Sequence, residues 1–376
     1  MKKILFVGHD ANRAGAQLLL LYWQQLLLDS NQFSFCTLLK NGGILESEYS
    51  KYSKVFVWNK PATESKAGRL KRAYEIIFPT EPHKLILSKL KDENFDIIIS
   101  NTLTNGDILP HLSTLNIPII SYVHELAMHL EMYTTKIDLA NTLKLSSHYL
   151  VCAKIAGENL VKNHSIDAQK ITWIPTPSPK IDLAQLKEKE FMLKELGFGN
   201  DNKIIGCIGS VNLRKGVDLF VKLSEMLPTL NFVWIGGSRL EFMEVINLNS
   251  FPENLRFIPN TVDALSYLNC FDIYAQTSRM EVFPLSVMEA YSLKKPVICF
   301  EVAGGTKEIV GSDAGIVVEQ LNLEEMAKQI KYLAENKELI LEFGNNGFEK
   351  LKTHYAAENS LIILQDTINQ ILVNNE

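Results

Sequence analysis

Two glutamates, Glu281 and Glu289, flank a seven-residue spacer in the stretch Ser278 to Glu308, SRMEVFPLSVMEAYSLKKPVICFEVAGGTKE. Pro284 suits the first residue of a helix, where its missing N–H costs nothing. Beyond it, Leu285, Val287, Met288, Ala290, Tyr291 and Leu293 are apolar on nearly every side, which predicts a buried helix. Glu289 stands in its middle, and a buried carboxylate costs free energy unless it is paired or hydrogen-bonded. A sugar diol is one such partner; an Arg or Lys in the core is the other. Glu281 lies just before the helix, beside free amides and the positive end of the helix dipole. After Lys295-Pro296 comes an apolar strand, Val297 to Phe300, and then Gly304-Gly305, where backbone can approach a ligand closely.

Three further constellations carry chemistry. The first is Gly206-Cys-Ile-Gly209-Ser210-Val-Asn-Leu-Arg214-Lys215-Gly216, between a strand and a helix. A glycine after a strand, two cations and a helix start make a diphosphate site: amides and dipole on one side, Arg and Lys on the other. The loop is neither a Walker A loop nor G-x-G-x-x-G, which argues against an ATPase or a dehydrogenase. The alternative is a solvated loop with ordinary cations. The second is Gly8 to Gln17, which opens a helix after the first strand, so amides around Gly15 can meet an anion. A tight strand-to-helix turn would need that one glycine equally. The third is His124-Glu125, at the end of the strand Pro118 to Val123. The run HELAMH is not a zinc motif, because His124 and His129 are five residues apart, roughly 140° around a helix. A histidine at a strand's carboxyl end suits a substrate hydroxyl; the other role of a lone histidine is structural.

These loops need strands that end beside them. In the first half, Ile4 to Val7, Phe33 to Leu39, Val55 to Trp58, Asp96 to Ser100, Pro118 to Val123, Tyr149 to Cys152 and Ile171 to Ile174 read as strands separated by helical segments. The first of those helices is Ala16 to Leu28. Pro175-Thr-Pro177-Ser-Pro179 then breaks the pattern as a linker. After a polar helix around Leu183 to Leu196, the alternation resumes with Lys203 to Ile208, Phe232 to Ile235, Arg256 to Ile258, Asp272 to Gln276 and Val297 to Phe300. Alternating strands and helices imply parallel sheets covered on both faces. The expected architecture is therefore α/β, with two doubly wound domains that bind ligands at the carboxyl ends of their strands. The boundaries predicted are 1–178, 179–355 and a final helix, 356–376.

The bulk composition fits that reading. The chain has 376 residues, 46% hydrophobic and 22% charged, with no apolar run long enough for a membrane span. The apolar start Ile4 to Val7 stops at Gly8-His9-Asp10, too short for a signal peptide. Five scattered cysteines with no C-x-x-C read as core thiols in a reducing, cytoplasmic compartment. Residues 1–180 carry 20 Lys and Arg against 16 Asp and Glu, and residues 181–376 carry 18 against 27. That is no nucleic-acid profile. Residues 66–91 hold seven basic side chains interleaved with Leu70, Tyr74, Ile77 and Phe78. Such a stretch can rest on an anionic membrane face or meet an anionic acceptor; otherwise it is a solvated helix face.

The ordered set Glu281, Glu289, Pro296 and Gly304-Gly305-Thr-Lys-Glu308 resembles the donor-sugar signature of retaining glycosyltransferases of the GT-B type. The likeness is to glycosyltransferase family 4, the glycosyl transferases group 1. It implies two Rossmann-like domains facing a central cleft, with a nucleotide-diphosphate sugar bound by the second. Glu289 would hold the ribose hydroxyls, Glu281 the sugar, and Arg214 and Lys215 the diphosphate beside Gly209 and Ser210. Val282, Phe283, Pro284 and Leu285 would line the donor, while the Gly15 loop and His124 would meet the sugar. The final helix would cross back onto the first domain.

Two departures stand out. Ser210 occupies a place that is commonly basic, and Pro284 lacks the amide of the usual Glu-Gly-Phe-Gly. No Asp-x-Asp occurs in the chain, so no metal and no cofactor are expected; the nucleotide sugar is a substrate. The acceptor implied is a glycan or a lipid-linked molecule, as in surface polysaccharide or glycoconjugate synthesis. Retention would follow from front-face attack, with no protein nucleophile. A nucleotide-sugar epimerase of the same architecture and a non-catalytic sugar-nucleotide binding protein are the alternatives.

Overall fold

The computed structural model describes residues 1–59, 82–126, 130, 133–179, 181–198, 203–246 and 252–374. Of the basic stretch 66–91, residues 66–81 lie outside the described residues, as does His129. The helix Pro82–Asp92 carries Lys84, Lys89 and Lys91. The chain divides into two compact units: Met1–Thr176 with Ser360–Glu376, and Pro177–Asn359.

Unit 1 holds a seven-stranded parallel sheet. Its strands are β1 Lys2–Gly8, β2 Phe33–Asn41, β3 Lys54–Asn59, β4 Ile97–Ser100, β5 Ile119–Val123, β6 His148–Val151 and β7 Ile171–Trp173, in the order β3-β2-β1-β4-β5-β6-β7. Unit 2 repeats the scheme with six strands: β8 Ile204–Ile208, β9 Asn231–Ile235, β10 Leu255–Ile258, β11 Ile273–Gln276, β12 Val297–Phe300 and β13 Gly315–Val318, in the order β10-β9-β8-β11-β12-β13. The central strands β4, β5, β11 and β12 are buried along their whole length. That is why they read as predominantly apolar runs and not as alternating ones.

In each sheet the chain steps outward from its first strand, then returns to that strand's other side. The order therefore reverses between β1 and β4 in unit 1 and between β8 and β11 in unit 2. Loops leaving the carboxyl ends of such strand pairs diverge and leave a crevice for ligands. Those loops contain Gly209, Ser210, Arg214, Lys215 and Glu281, and the β1 loop leads into Gly15, whereas His124 follows β5 and Glu289 lies on the helix after the β11 loop.

Local details depart from the expectations. The strand β13, GIVV, was not foreseen: it opens on a glycine and offers only three apolar residues. The helix expected over Leu183 to Leu196 is instead a 3-10 turn, Leu183–Gln185, closed by the Asp182 side chain, and a helix Lys189–Leu196. Leu186, at ψ 137°, is extended and separates the two. The first helix begins one residue earlier than expected, Gly15–Ser30. Pro284 is not the first helical residue: with ψ 112° it is extended, and the helix runs Leu285–Ser292. The last helix, Ala357–Val373, belongs to unit 1 from Ser360, whose Oγ donates to the Pro175 carbonyl at 2.8 Å. All five cysteines are buried free thiols. Among the described residues no helix is long and apolar enough to cross a membrane.

Candidate functional site

In unit 2 two loops are fastened together where the sheet order reverses. Gly209 follows β8; its N–H donates to Ile235 O at 2.9 Å, and Trp234 Nε1 donates to Gly209 O at 3.1 Å. Asn212 then closes the turn, accepting from Lys215 N at 2.9 Å and donating to the hydroxyl of exposed Ser210 at 3.0 Å. Gly216 has φ +72°, and a Cβ there would lie 1.9 Å from the Thr277 carbonyl oxygen. Only glycine lets this loop press against the start of the segment after β11. From that segment Arg279 N donates to Arg214 O at 2.8 Å. The Arg279 guanidinium forks onto Asp218 with two bonds of 2.7 Å and also donates to Leu213 O.

Glu281 sits at the centre of this junction. Its Oε1 accepts from Lys215 Nζ at 2.5 Å, Arg214 Nη1 at 3.1 Å and Ser278 Oγ at 3.1 Å. Its side chain is 8% exposed, against 15% for Lys215 and 17% for Arg214. Burial pushes the Glu281 carboxyl up, but Lys215 and Arg214 outweigh burial and hold it below the usual carboxylate range. The cations assigned to a diphosphate therefore share one carboxylate. The cluster carries two positive charges against one negative, close to the helix Val217–Met226. A net positive cluster of this kind attracts an anion.

The close backbone approach expected of Gly304-Gly305 is made to Glu281 itself. Glu281 N donates to Ala303 O at 3.1 Å and Gly305 N to Glu281 O at 3.0 Å, with Gly304 at φ +70°. The pair thus anchors the carboxylate's own backbone. Val282 and Pro284 are buried, Phe283 packs on the Tyr355 ring at 5.5 Å, and Phe283 and Leu285 lie against the core of unit 2. These four side chains serve packing, so backbone is what they can offer a ligand. Glu289 is half-buried on the helix Leu285–Ser292, and its charge reaches Tyr274. The Tyr274 hydroxyl accepts from Ile208 N at 3.2 Å and donates to Ser286 Oγ at 2.7 Å, tying the end of β8 to this helix.

In unit 1, polar side chains gather at the carboxyl ends of β1, β4 and β5. Gln17 Nε2 donates to Asp10 Oδ1 at 2.5 Å and to His9 Nε2 at 2.9 Å. His9 Nδ1 is buried without a hydrogen-bond partner among the described residues, and burial lowers the His9 pKa. Asn101, after β4, accepts from or donates to three elements: its N–H bonds Val7 O at 2.8 Å, its Nδ2 bonds Ala16 O at 2.8 Å, and its Oδ1 lies 2.9 Å from His124 Nε2. Burial, with His9 adding to it, depresses the His124 pKa to about 3. Glu125 Oε2 accepts from His124 N at 3.0 Å and Leu103 N at 3.3 Å, and burial raises its carboxyl to about 7 despite those amides.

Gly15 begins the first helix in an exposed position, and a Cβ there would meet nothing within 4 Å among the described residues. Nothing in the packing at that point demands glycine. Sequence reading missed His9, Asn101, Tyr274 and the Arg279–Asp218 fork. The fork joins residues 61 positions apart, so no local spacing announces it.

Residues 188–350 match the family model described as glycosyl transferases group 1. An uncharacterized glycosyltransferase of Haemophilus influenzae is 26% identical over 274 residues, covering 69% of this chain and 74% of the relative. The alpha-galactosylglucosyldiacylglycerol synthase of Streptococcus pneumoniae is 30% identical over 163 residues, covering 40% of this chain and 43% of the synthase. Among solved structures, Anabaena HepE in complex with UDP and glucose superposes with a TM-score of 0.77 at 16% identity, covering 99% of each chain.

Proposed function

We propose, for a chain whose residues 188–350 belong to the glycosyl transferases group 1 and whose two units take the GT-B fold, that it moves a sugar from a nucleotide-diphosphate sugar to a glycan or lipid-linked acceptor, with retention and without a metal ion. The observation that carries the reading is the meeting of Arg214, Lys215 and Glu281 where the order of the second sheet reverses. Two braced cations at that point suit a diphosphate. Glu289, on the next helix, is assigned to the ribose hydroxyls, and His124 of unit 1 to a substrate hydroxyl. HepE, which is complexed with UDP and glucose, supports a donor of this class; the diacylglycerol-linked product named for the synthase supports a lipid acceptor.

In this mechanism the diphosphate draws Arg214 and Lys215 from Glu281, which turns to the sugar. As the glycosidic bond breaks, negative charge grows on the leaving phosphate, where preorganised cations stabilise it. That phosphate accepts the proton of the attacking hydroxyl, so no protein nucleophile is needed. The work is placed in the cytoplasm, with residues 66–91 as a peripheral contact to an anionic membrane face. Incubation with a panel of labelled nucleotide sugars, followed by NMR of the product's anomeric centre, tests the reading. Transfer with retained configuration is expected. An isomerised donor, or binding without turnover across the panel, would overturn it.

A further inference from the structure

We propose that Asn101 is a positioning residue that fixes His124 as its Nε2–H tautomer, leaving Nδ1 to accept a hydrogen bond from a substrate hydroxyl. This rests on the reading of His124 as the residue of unit 1 that meets substrate. The orientation of the Asn101 amide follows from its second bond. Its nitrogen donates to the Ala16 carbonyl at 2.8 Å, and a carbonyl only accepts. The group facing the imidazole, 2.9 Å from His124 Nε2, is then the amide oxygen, which also only accepts. Nε2 must therefore carry a proton. Burial holds the ring's pKa near 3, so at neutral pH it carries that proton alone and Nδ1 bears a lone pair. Nδ1 has no hydrogen-bond partner among the described residues.

The surroundings keep this arrangement in place. Asn101 is 1% exposed, its backbone N–H is held by Val7 O at 2.8 Å, and a flipped side-chain amide would set its oxygen against the Ala16 carbonyl, so the amide has little freedom to flip. The Tyr122 ring lies 4.2 Å from the imidazole, and Glu125 holds the His124 backbone. Such a ring is a poor base. Its function is to orient a hydroxyl by accepting its hydrogen bond, and the carbonyl of Ala16 ties that orientation to the first helix. His9 takes the opposite tautomer. Gln17 Nε2 donates to Asp10, so His9 Nε2 accepts from the same amide and Nδ1 carries the proton.

Ring-nitrogen NMR of 15N-histidine-labelled protein, with His124 assigned through His124→Gln, tests the assignment without turnover. Wild type should show His124 protonated on Nε2 at pH 7. Asn101→Leu, which removes the acceptor, should populate the Nδ1–H form and lower kcat about tenfold or more, while the KM for the nucleotide sugar stays nearly constant. Asn101→Asp keeps an acceptor for Nε2–H and should keep the tautomer. A wild-type His124 protonated on Nδ1, or a wild-type tautomer in Asn101→Leu, would overturn the proposal. Should Asn101→Leu fail to fold, the wild-type and Asn101→Asp spectra still decide. A wild-type Nε2–H tautomer supports the role of Asn101 even if no nucleotide sugar is turned over, an outcome that counts only against the functional reading beneath it.

Discussion

Lys215 Nζ lies 2.5 Å from Glu281 Oε1, and both side chains are largely buried. Arg214 reaches the same oxygen at 3.1 Å, so one carboxylate is the shared counter-ion of both cations. An anion that binds the cations must compete with Glu281. Removing one member of a buried ion pair leaves its partners uncompensated, at a cost of about 3–5 kcal/mol. Glu281→Gln should therefore lower the melting temperature, and pyrophosphate should restore more of it than it adds to wild type. Equal pyrophosphate shifts in the two proteins would show that Glu281 does not compete for the site. Turnover should fall although affinity for the free nucleotide does not.

Ser210 lies exposed on the loop whose basic burden falls on Arg214 and Lys215. Charge-assisted hydrogen bonds to phosphate contribute about 1.5–3 kcal/mol each. Lys215→Ala should cost at least about tenfold in kcat/KM, and Arg214→Ala should also impair transfer. If Arg214 stands in for a charge missing at position 210, Ser210→Arg should rescue Arg214→Ala. A folded double variant no better than Arg214→Ala would refute that substitution.

Gly216 and Gly15 should behave in opposite ways. At Gly216, φ is +72° and a Cβ would collide with the Thr277 carbonyl. Gly216→Ala should destabilise by well over about 1 kcal/mol and weaken pyrophosphate binding, because Lys215 is the preceding residue. Gly15→Ala meets open space on a helix and should leave stability unchanged or raise it by up to about 1 kcal/mol. Chemical denaturation of the two variants side by side checks both; equal losses would contradict the packing described.

Glu125 and His124 should tilt stability with pH in opposite senses. The Glu125 carboxyl rises from 4.5 to about 7 on folding, so the native state binds more protons between those values. Its contribution is full below about 4.5 and is lost as pH rises through about 7. The His124 ring falls from 6.5 to about 3, so its contribution is present above 6.5 and is lost as pH falls toward 3. Glu125→Gln should therefore gain on wild type as pH rises from about 5 to 8, by an amount on the order of 1 kcal/mol per unit of pKa shift. A stability difference flat across that range, measured by urea denaturation, would show that Glu125 ionises normally.

Activity should survive a strong chelator, since Arg214 and Lys215 are assigned the charge that a divalent ion would otherwise supply. Loss of transfer on chelation, restored by added Mg²⁺ or Mn²⁺, would refute that assignment.

Much of the architecture was legible along the chain, because its causes are local. Runs such as Ile97–Ile99 and Val297–Phe300 are apolar throughout, since a parallel strand is covered on both faces, and they announce a doubly wound sheet. The glutamate spacing and the loop from Gly209 to Gly216 were legible for the same reason: each is one short segment. Boundaries set by a single cap or one ψ angle, at Leu183 and at Pro284, were not.

The pairings were decided by the folded chain alone. Arg214 and Glu281 are 67 residues apart, Asp218 and Arg279 are 61 apart, and Asn101 and His124 are 23 apart. Nothing in the spacing says that Glu281 lies against both cations, that Asn101 bonds the His124 ring, or that a Cβ would collide at Gly216 and not at Gly15. Those facts follow from which strands become neighbours where each sheet reverses its order. A carboxylate's partner, a proton's position and the room for a Cβ depend on distances of a few ångströms between segments that are remote along the chain.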